Sequence, residues 1–439
     1  MISSIGLANF KCFQGINHFP LSQFNLLTGV NGRGKSTFLQ SLLLMKQTTD
    51  YDKDSNYLVL NGSCVQLGSF EDIKNSFASN NENVQITFQL SPNKNQRLNT
   101  EFTISTDVAL VYLLSKNIQD EYIALIDRYT VVFKDDDGTV ASETRVLNED
   151  NDCYFFFRYG DTTESAYDIH NDENVKAFDM FTNLIPNEAH LLDTVIYGFE
   201  NLFKRIQFVS ADRLGPKNYY EIQNVNKDFS WVGSKGENTA SVLLKKKDNK
   251  VHDALYLGED TNTLLQQTEE WLNFIFDGAK ITINTEGGVV LLSYNTRQGR
   301  ERYKPSNVGF GYSYILPIIV AGLVAQNGEI LIIENPEAHL HPRAQHKLTL
   351  FLAKIAATGV QIFVESHSEH ILNALRICTI NQEGQEKILD NTDLSILYFQ
   401  DNQEMPYIQI PVDQNGGIEE WPNGFFDQTD KDFKILFGF

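Results

Sequence analysis

Gly29-Val30-Asn31-Gly32-Arg33-Gly34-Lys35-Ser36-Thr37 follows directly on the apolar run Phe24-Asn25-Leu26-Leu27-Thr28. A glycine, four residues, then Gly-Lys-Ser is the pattern of a loop that cradles phosphates between a strand and a helix. Glycines tolerate positive φ and leave room for close approach. Gly29, Gly32 and Gly34 therefore let the backbone around Asn31, Arg33 and Thr37 curl into an anion nest. The helix that begins near Lys35 adds the positive end of its dipole. Lys35 is placed for the β- and γ-phosphates and the Ser36 hydroxyl for Mg²⁺. ATP and Mg²⁺ are the expected cofactors. Thr37–Met45 reads as a buried helix, which sets an α/β fold class.

A phosphate loop alone performs no reaction. A second constellation lies at Glu329-Ile330-Leu331-Ile332-Ile333-Glu334-Asn335-Pro336-Glu337. An apolar run that ends in acids reads as a buried parallel strand whose C-terminal end faces the phosphates. Glu334 is expected to hold Mg²⁺, and Glu337 to polarise the attacking water. Next, Val360-Gln361-Ile362-Phe363-Val364 is another buried strand, and it ends in Glu365-Ser366-His367-Ser368. His367 at that tip is read as a γ-phosphate switch. His339 and His341 form a His-x-His pair. Two local ligands are few for a metal, so a subunit-interface loop is the preferred reading there. Val308-Gly309-Phe310-Gly311-Tyr312-Ser313 precedes an apolar helix. It is either a tight helix-packing turn or a second phosphate cradle. Gly311 and Ser313 of such a cradle would close over the ATP of another copy.

At 439 residues the chain exceeds one simple core and is expected to hold two or three units. Residues 1–78 read as the N-terminal ATPase lobe and 79–203 as an inserted arm of strands and helices. Residues 204–400 complete the ATPase core, and 401–439 form an acidic segment packed on the head. In the arm, Val84–Leu90, Phe102–Ile104, Tyr129–Phe133 and Tyr154–Tyr159 read as strands, with a turn at Asp135–Gly138 and a helical stretch over Asn174–Phe203.

The formal net charge of −21 opposes a surface that grips nucleic acid over its whole extent. Any DNA contact must be local, around Lys245-Lys246-Lys247, Lys250, Arg297, Arg300, Arg302 and Lys304. The acidic C-terminal stretch is a solvated face or a docking surface for a basic partner. No stretch has the length and apolarity of a membrane span, and Met1-Ile2-Ser3-Ser4 lacks a signal-peptide pattern. Cys12, Cys64, Cys153 and Cys378 show no metal or disulfide spacing. A cytoplasmic protein without membrane contact is expected.

In this order, these pieces resemble the ABC-type ATPase heads of SMC, RecF and OLD-like proteins, and in particular the stand-alone bacterial AAA-family branch often found in antiphage defence operons. Leu7–Phe13, the phosphate loop, Leu67–Asp72, Ser210–Pro216, Val308–Ser313, Glu334–Pro342 and Trp421–Asp427 carry the resemblance. The resemblance implies an ABC-type P-loop head with an inserted β-rich and helical arm. It also implies a head-to-tail homodimer or higher even oligomer sandwiching two ATPs. In it Gln66 is the loop glutamine that senses Mg²⁺, Arg213 contacts phosphate or the partner subunit, and Asn9 and Lys11 lie near the nucleotide base or phosphates; the alternatives are an ordinary polar turn residue for Gln66 and a structural ion pair for Arg213. The chain departs from the pattern at Glu334, where most heads have Asp. It also departs in its Gly-Phe-Gly-Tyr-Ser signature and in lacking the Asp-x-Asp cluster of the OLD nuclease. The implied role is an ATP-driven sensor or regulator of a separate effector in antiviral defence. A DNA-repair or clamping head is the alternative, and a transporter subunit or non-catalytic scaffold fits less well.

Overall fold

The computed structural model describes residues 1–51, 57–79, 82–91, 105–116, 122–135, 138–147, 154–158, 202–222, 230–258, 261–296, 301–381 and 387–438. The expected strand Phe102–Ile104, most of the helical stretch Asn174–Phe203, the centre of the turn Asp135–Gly138, and Cys153, Arg297 and Arg300 lie outside the described residues. The chain divides into two compact units. The first takes in Met1–Leu21, Gly32–Ile206 and Asp401–Pro406; the second takes in Ser22–Asn31, Gln207–Gln400 and Tyr407–Phe439.

The chain opens with β1 (Ile2–Phe10), β2 (Phe13–Pro20), β3 (Phe24–Gly29) and α1 (Lys35–Tyr51). β3 belongs to the second unit and the other three to the first. The first unit continues with α2 (Phe70–Ile73), β4 (Val84–Leu90), β5 (Ser105–Lys116), β6 (Tyr122–Asp135), β7 (Gly138–Leu147) and β8 (Tyr154–Arg158). Its sheet runs β2-β1-β4-β5-β6-β7-β8 and every neighbouring pair is antiparallel. Such a sheet needs only one covered face. β4 shows the resulting alternation: Val84, Ile86 and Phe88 are buried, while Gln85, Thr87 and Gln89 are not. β4 pairs with β1, so strands on both sides of residue 78 share this sheet.

α1 runs longer at both ends than the Thr37–Met45 expected. Phe38, Leu39, Leu42, Leu43, Leu44 and Met45 are all buried. Apolar residues around the whole circumference mark a helix enclosed by its surroundings. Phe38 stands edge-on to Phe19 at 5.0 Å, and Phe19 to Phe13 at 5.1 Å.

The second unit adds β9 (Gln207–Val209), β10 (Tyr220–Glu221), α3 (Thr239–Lys246), α4 (Leu264–Phe276), β11 (Lys280–Glu286), β12 (Val289–Asn295) and α5 (Phe310–Val324). It closes with β13 (Ile330–Glu334), α6 (Pro342–Ala357), β14 (Gln361–Glu365), α7 (Glu369–Cys378), β15 (Leu394–Phe399), β16 (Tyr407–Gln409) and α8 (Gln428–Phe437). Its main sheet runs β16-β15-β3-β14-β13-β9; only the edge strand β16 is antiparallel. Ile330, Leu331, Ile332 and Ile333 are fully buried, as are Val364, Ile362 and Leu26. Helices cover both faces of parallel strands, so such strands read as unbroken apolar runs. The register aligns Glu334 with Glu365, Glu365 with Leu27, and Gly29 with Phe399. The carboxyl ends of four parallel strands therefore finish together, the place where ligands bind in such sheets. A smaller antiparallel sheet, β10-β12-β11, completes the unit.

Candidate nucleotide site

The phosphate loop begins where β3 ends. Gly29 has φ 118°, and a Cβ there would stand 2.1 Å from the Phe399 carbonyl oxygen. The Val30 amide donates to that same oxygen at 2.9 Å. The end of β15 thus sets the entry of the loop, and only glycine fits it.

In the first unit, Gly34 has φ 108°, and a Cβ there would lie 2.5 Å from Phe13 Cζ and 3.1 Å from Cys12 Sγ. The β1–β2 hairpin tip therefore presses on the loop. The Phe38 amide donates to the Gly34 carbonyl at 2.8 Å, which starts α1. Lys35 is 4% exposed. Asn31, Gly32, Arg33 and Ser36 are exposed and Thr37 is half-buried. Arg33 pairs with Asp401 at 2.7 Å. Lys11 Nζ donates to Gln40 Oε1 at 2.7 Å, and Asn9 Oδ1 accepts from the Gly15 amide at 3.1 Å. Gln66 is exposed, and its side chain donates to the Gly62 carbonyl at 2.7 Å.

The acids lie in the second unit, at the ends of β13 and β14. Glu334 Oε2 accepts from the Ala211 amide at 3.0 Å. Burial raises its pKa above the usual carboxylate range; the Ala211 hydrogen bond and the Arg213 charge work the other way. Asn335 takes φ 44°, a left-handed conformation that asparagine tolerates better than most residues. This reverses the chain and sends Glu337 back across the strand tip. Glu337 Oε1 accepts from the His367 amide at 2.9 Å, while Oε2 is buried without a hydrogen-bond partner. A buried, unsatisfied carboxylate oxygen is costly, and its natural partner is a bound water. His367 itself is exposed at the tip of β14. Each unit carries groups that fit Mg²⁺–nucleotide: in the first, a glycine-led helix start with Lys35 and Ser36; in the second, the Glu334 carboxylate at a strand end and a buried Glu337 oxygen without a hydrogen-bond partner.

Ser313 is 5% exposed, and its hydroxyl faces the buried Tyr294 hydroxyl. Gly311 is buried too, facing the His339 carbonyl and Leu340. α5 turns both into its own unit. Ser306, Asn307, Gly309 and Phe310 are the exposed groups there. Arg213 is 3% exposed and its guanidinium donates to backbone carbonyls. The Nδ1 of His341 caps α6 by accepting from the Arg343 amide at 3.3 Å. Among the described residues no group of three His, Cys, Asp or Glu side chains is gathered for a metal.

Sequence reasoning missed the Ala211 amide on Glu334 and the Tyr314 ring beside Arg213. A backbone donor leaves no mark on residue type. The glutamate–asparagine–proline order after an apolar strand was the available signal for the reversal at Asn335.

Residues 1–372 match the family described as AAA ATPase domain. Residues 389–436 match a second family, described as a protein of unknown function, DUF3696. No curated protein matches the chain. Among solved structures the chain is similar to an SmcHead bound to the C-winged helix domain of ScpA. That match has 11% identity and a TM-score of 0.43, over 94% of this chain and 98% of that one. It is also similar to the SMC head domain from Thermotoga maritima, at 9% identity over 94% and 99% of the two chains and a TM-score of 0.39. A third is an Smc head with an extended coiled coil bound to the C-terminal domain of ScpA, derived from Pyrococcus furiosus. The figures there are 10% identity, 100% and 98% coverage, and a TM-score of 0.40.

Proposed function

This chain belongs to the AAA ATPase domain family, and from that premise we propose that it hydrolyses ATP to ADP and phosphate with Mg²⁺. The observation that carries the reading is Glu337: one oxygen is fixed by the His367 amide and the other is buried without a partner. A carboxylate held this way is oriented to take a proton from water. The water oxygen bonds to the γ-phosphorus as the bond to the β-phosphate bridging oxygen breaks. The water proton passes to Glu337 and ADP leaves. The loop from Gly29 to Thr37 holds the phosphates and Lys35 neutralises their charge. Ser36 and Glu334 would hold Mg²⁺, which would supply charge neutralisation at the transferred phosphoryl group. Gln66 would assist that ion, and His367 would sense the γ-phosphate.

The dimer, the inserted arm over 79–203 and the regulatory role belong to the same proposal. Two copies associate head to tail, with the exposed start of α5 rather than the Ser313 hydroxyl facing the partner's nucleotide. The closed dimer signals to a separate effector in antiviral defence, a role supported only by the resemblance of the motifs. No helix among the described residues is long and apolar enough to cross a membrane.

Phosphate release from Mg-ATP by the wild-type chain, by Glu337→Gln and by Lys35→Ala tests the reaction. Turnover in the wild type and its loss in both variants supports it. Equal phosphate release by all three would overturn it.

A further inference from the structure

We propose that Arg213 is a positioning residue: it shapes the turn that carries Glu337 and ties that turn to the start of α5. The catalytic half of this inference rests on the proposed ATPase reading; the structural half does not.

β9 pairs with β13 only from Leu331 to Ile333. Beyond that point the carbonyls of Glu334 and Asn335 run past the end of β9. Arg213 donates to both, and the Asn335 carbonyl also accepts from the Ala338 amide at 3.1 Å. Its Nη1 donates to the Glu334 carbonyl at 2.8 Å and to the Ser210 carbonyl at 3.3 Å; its Nη2 donates to the Asn335 carbonyl at 2.7 Å. A planar guanidinium spans two successive carbonyls in a fixed geometry, which a lysine ammonium cannot reproduce. The carbonyls it holds flank the residue at φ 44° where the chain reverses toward Glu337.

The segment carrying Arg213 is itself anchored. The Ser210 amide donates to the Ser234 carbonyl at 2.8 Å, and the Leu214 amide to the Lys235 carbonyl at 2.9 Å. On its other side, the guanidinium lies 5.3 Å from the centre of the Tyr314 ring, near the start of α5. Tyr314 meets the His339 ring edge-on at 4.5 Å, and His339 sits at φ 61° just past Glu337. Phe310 packs against that same imidazole at 5.5 Å and is itself 53% exposed. Residues 335–339 are thus held at one end by Arg213 and at the other by two aromatic rings of α5. Burial lowers the Arg213 pKa to about 10, which leaves it charged at neutral pH.

The test compares Arg213→Lys, Arg213→Ala and wild type. A melting curve first establishes that each variant is folded. In Arg213→Ala, kcat for Mg-ATP should fall by about 10²-fold, because a displacement of about 1 Å at the catalytic group costs that much. KM for ATP should stay within about threefold, the split expected when only the chemical step is impaired. Arg213→Lys should recover little, and added guanidinium ion should restore part of the Arg213→Ala turnover. Hydrogen exchange of the amides in 335–341 should speed up in both variants while that of β14 does not change. A raised KM with normal kcat overturns the proposal, since Arg213 would then act on nucleotide binding. Unchanged exchange in 335–341 overturns it as well. If the wild type itself releases no phosphate, the ATPase reading fails, and exchange alone decides whether Arg213 holds the turn.

Discussion

The His367 amide donates to one oxygen of Glu337 at 2.9 Å, and the other oxygen of that carboxylate is buried with no hydrogen-bond partner. The donor is backbone at the tip of β14 and the acceptor sits just past the tip of β13, so the two strand ends lock together. Glu337→Gln keeps an oxygen for the His367 amide but loses the base. The fold and ATP binding should persist, and turnover should fall by about 10²–10⁴-fold. Phosphate release alongside nucleotide titration checks both halves; near-normal turnover moves the base elsewhere.

Lys35 is 4% exposed at the start of α1. Lys35→Ala removes the charge placed for the phosphates, and ATP affinity should drop, as read by isothermal titration. Unchanged affinity would place the nucleotide away from this loop.

Gly29 combines φ 118° with a carbonyl oxygen 2.1 Å from where a Cβ would be. The obstacle is backbone of β15, which cannot swing aside. Gly29→Ala should destabilise the fold by more than about 1 kcal/mol, because both strain and overlap oppose it. A thermal melt equal to that of the wild type would contradict the loop geometry.

Glu334 carries a pKa raised by burial, with 4.5 as its ordinary value. An acid whose folded pKa is raised binds more protons folded than unfolded between the two values. Its contribution to stability is therefore present below the unfolded pKa and fades as pH rises through the folded one. Above that range, ionising the buried carboxyl works against the fold. Glu334→Gln should melt at an equal or higher temperature at pH 7 while Mg²⁺-dependent turnover collapses. A lower melting temperature with intact turnover would assign Glu334 a structural role.

Cys12 has its Sγ 3.1 Å from the Cβ position of Gly34, and burial raises its thiol pKa despite the hydrogen bond with Thr37. Cys12 is nonetheless exposed, so maleimide should reach it, and bound ATP should slow that labelling. Mass spectrometry of the labelled peptide reads this out; labelling indifferent to ATP would separate the hairpin tip from the nucleotide.

The phosphate loop, the α/β class and the acid-tipped strand were legible in the sequence because each is local. Glycine at fixed spacings answers to φ, and a run such as Ile330–Ile333 answers to burial on both faces of a parallel sheet. α1 was legible in type but not in extent, since its ends are set by what encloses it. Tertiary structure decided the rest. Whether Ser313 faces outward depends on the rotation of α5 against Tyr294. Arg213 was recognisable as charged, but its partners are carbonyls of a strand more than a hundred residues away. Residue type records which groups a chain carries. Only the register of β9 against β13, which ends at Ile333, brought the Glu334 carbonyl within reach of Arg213.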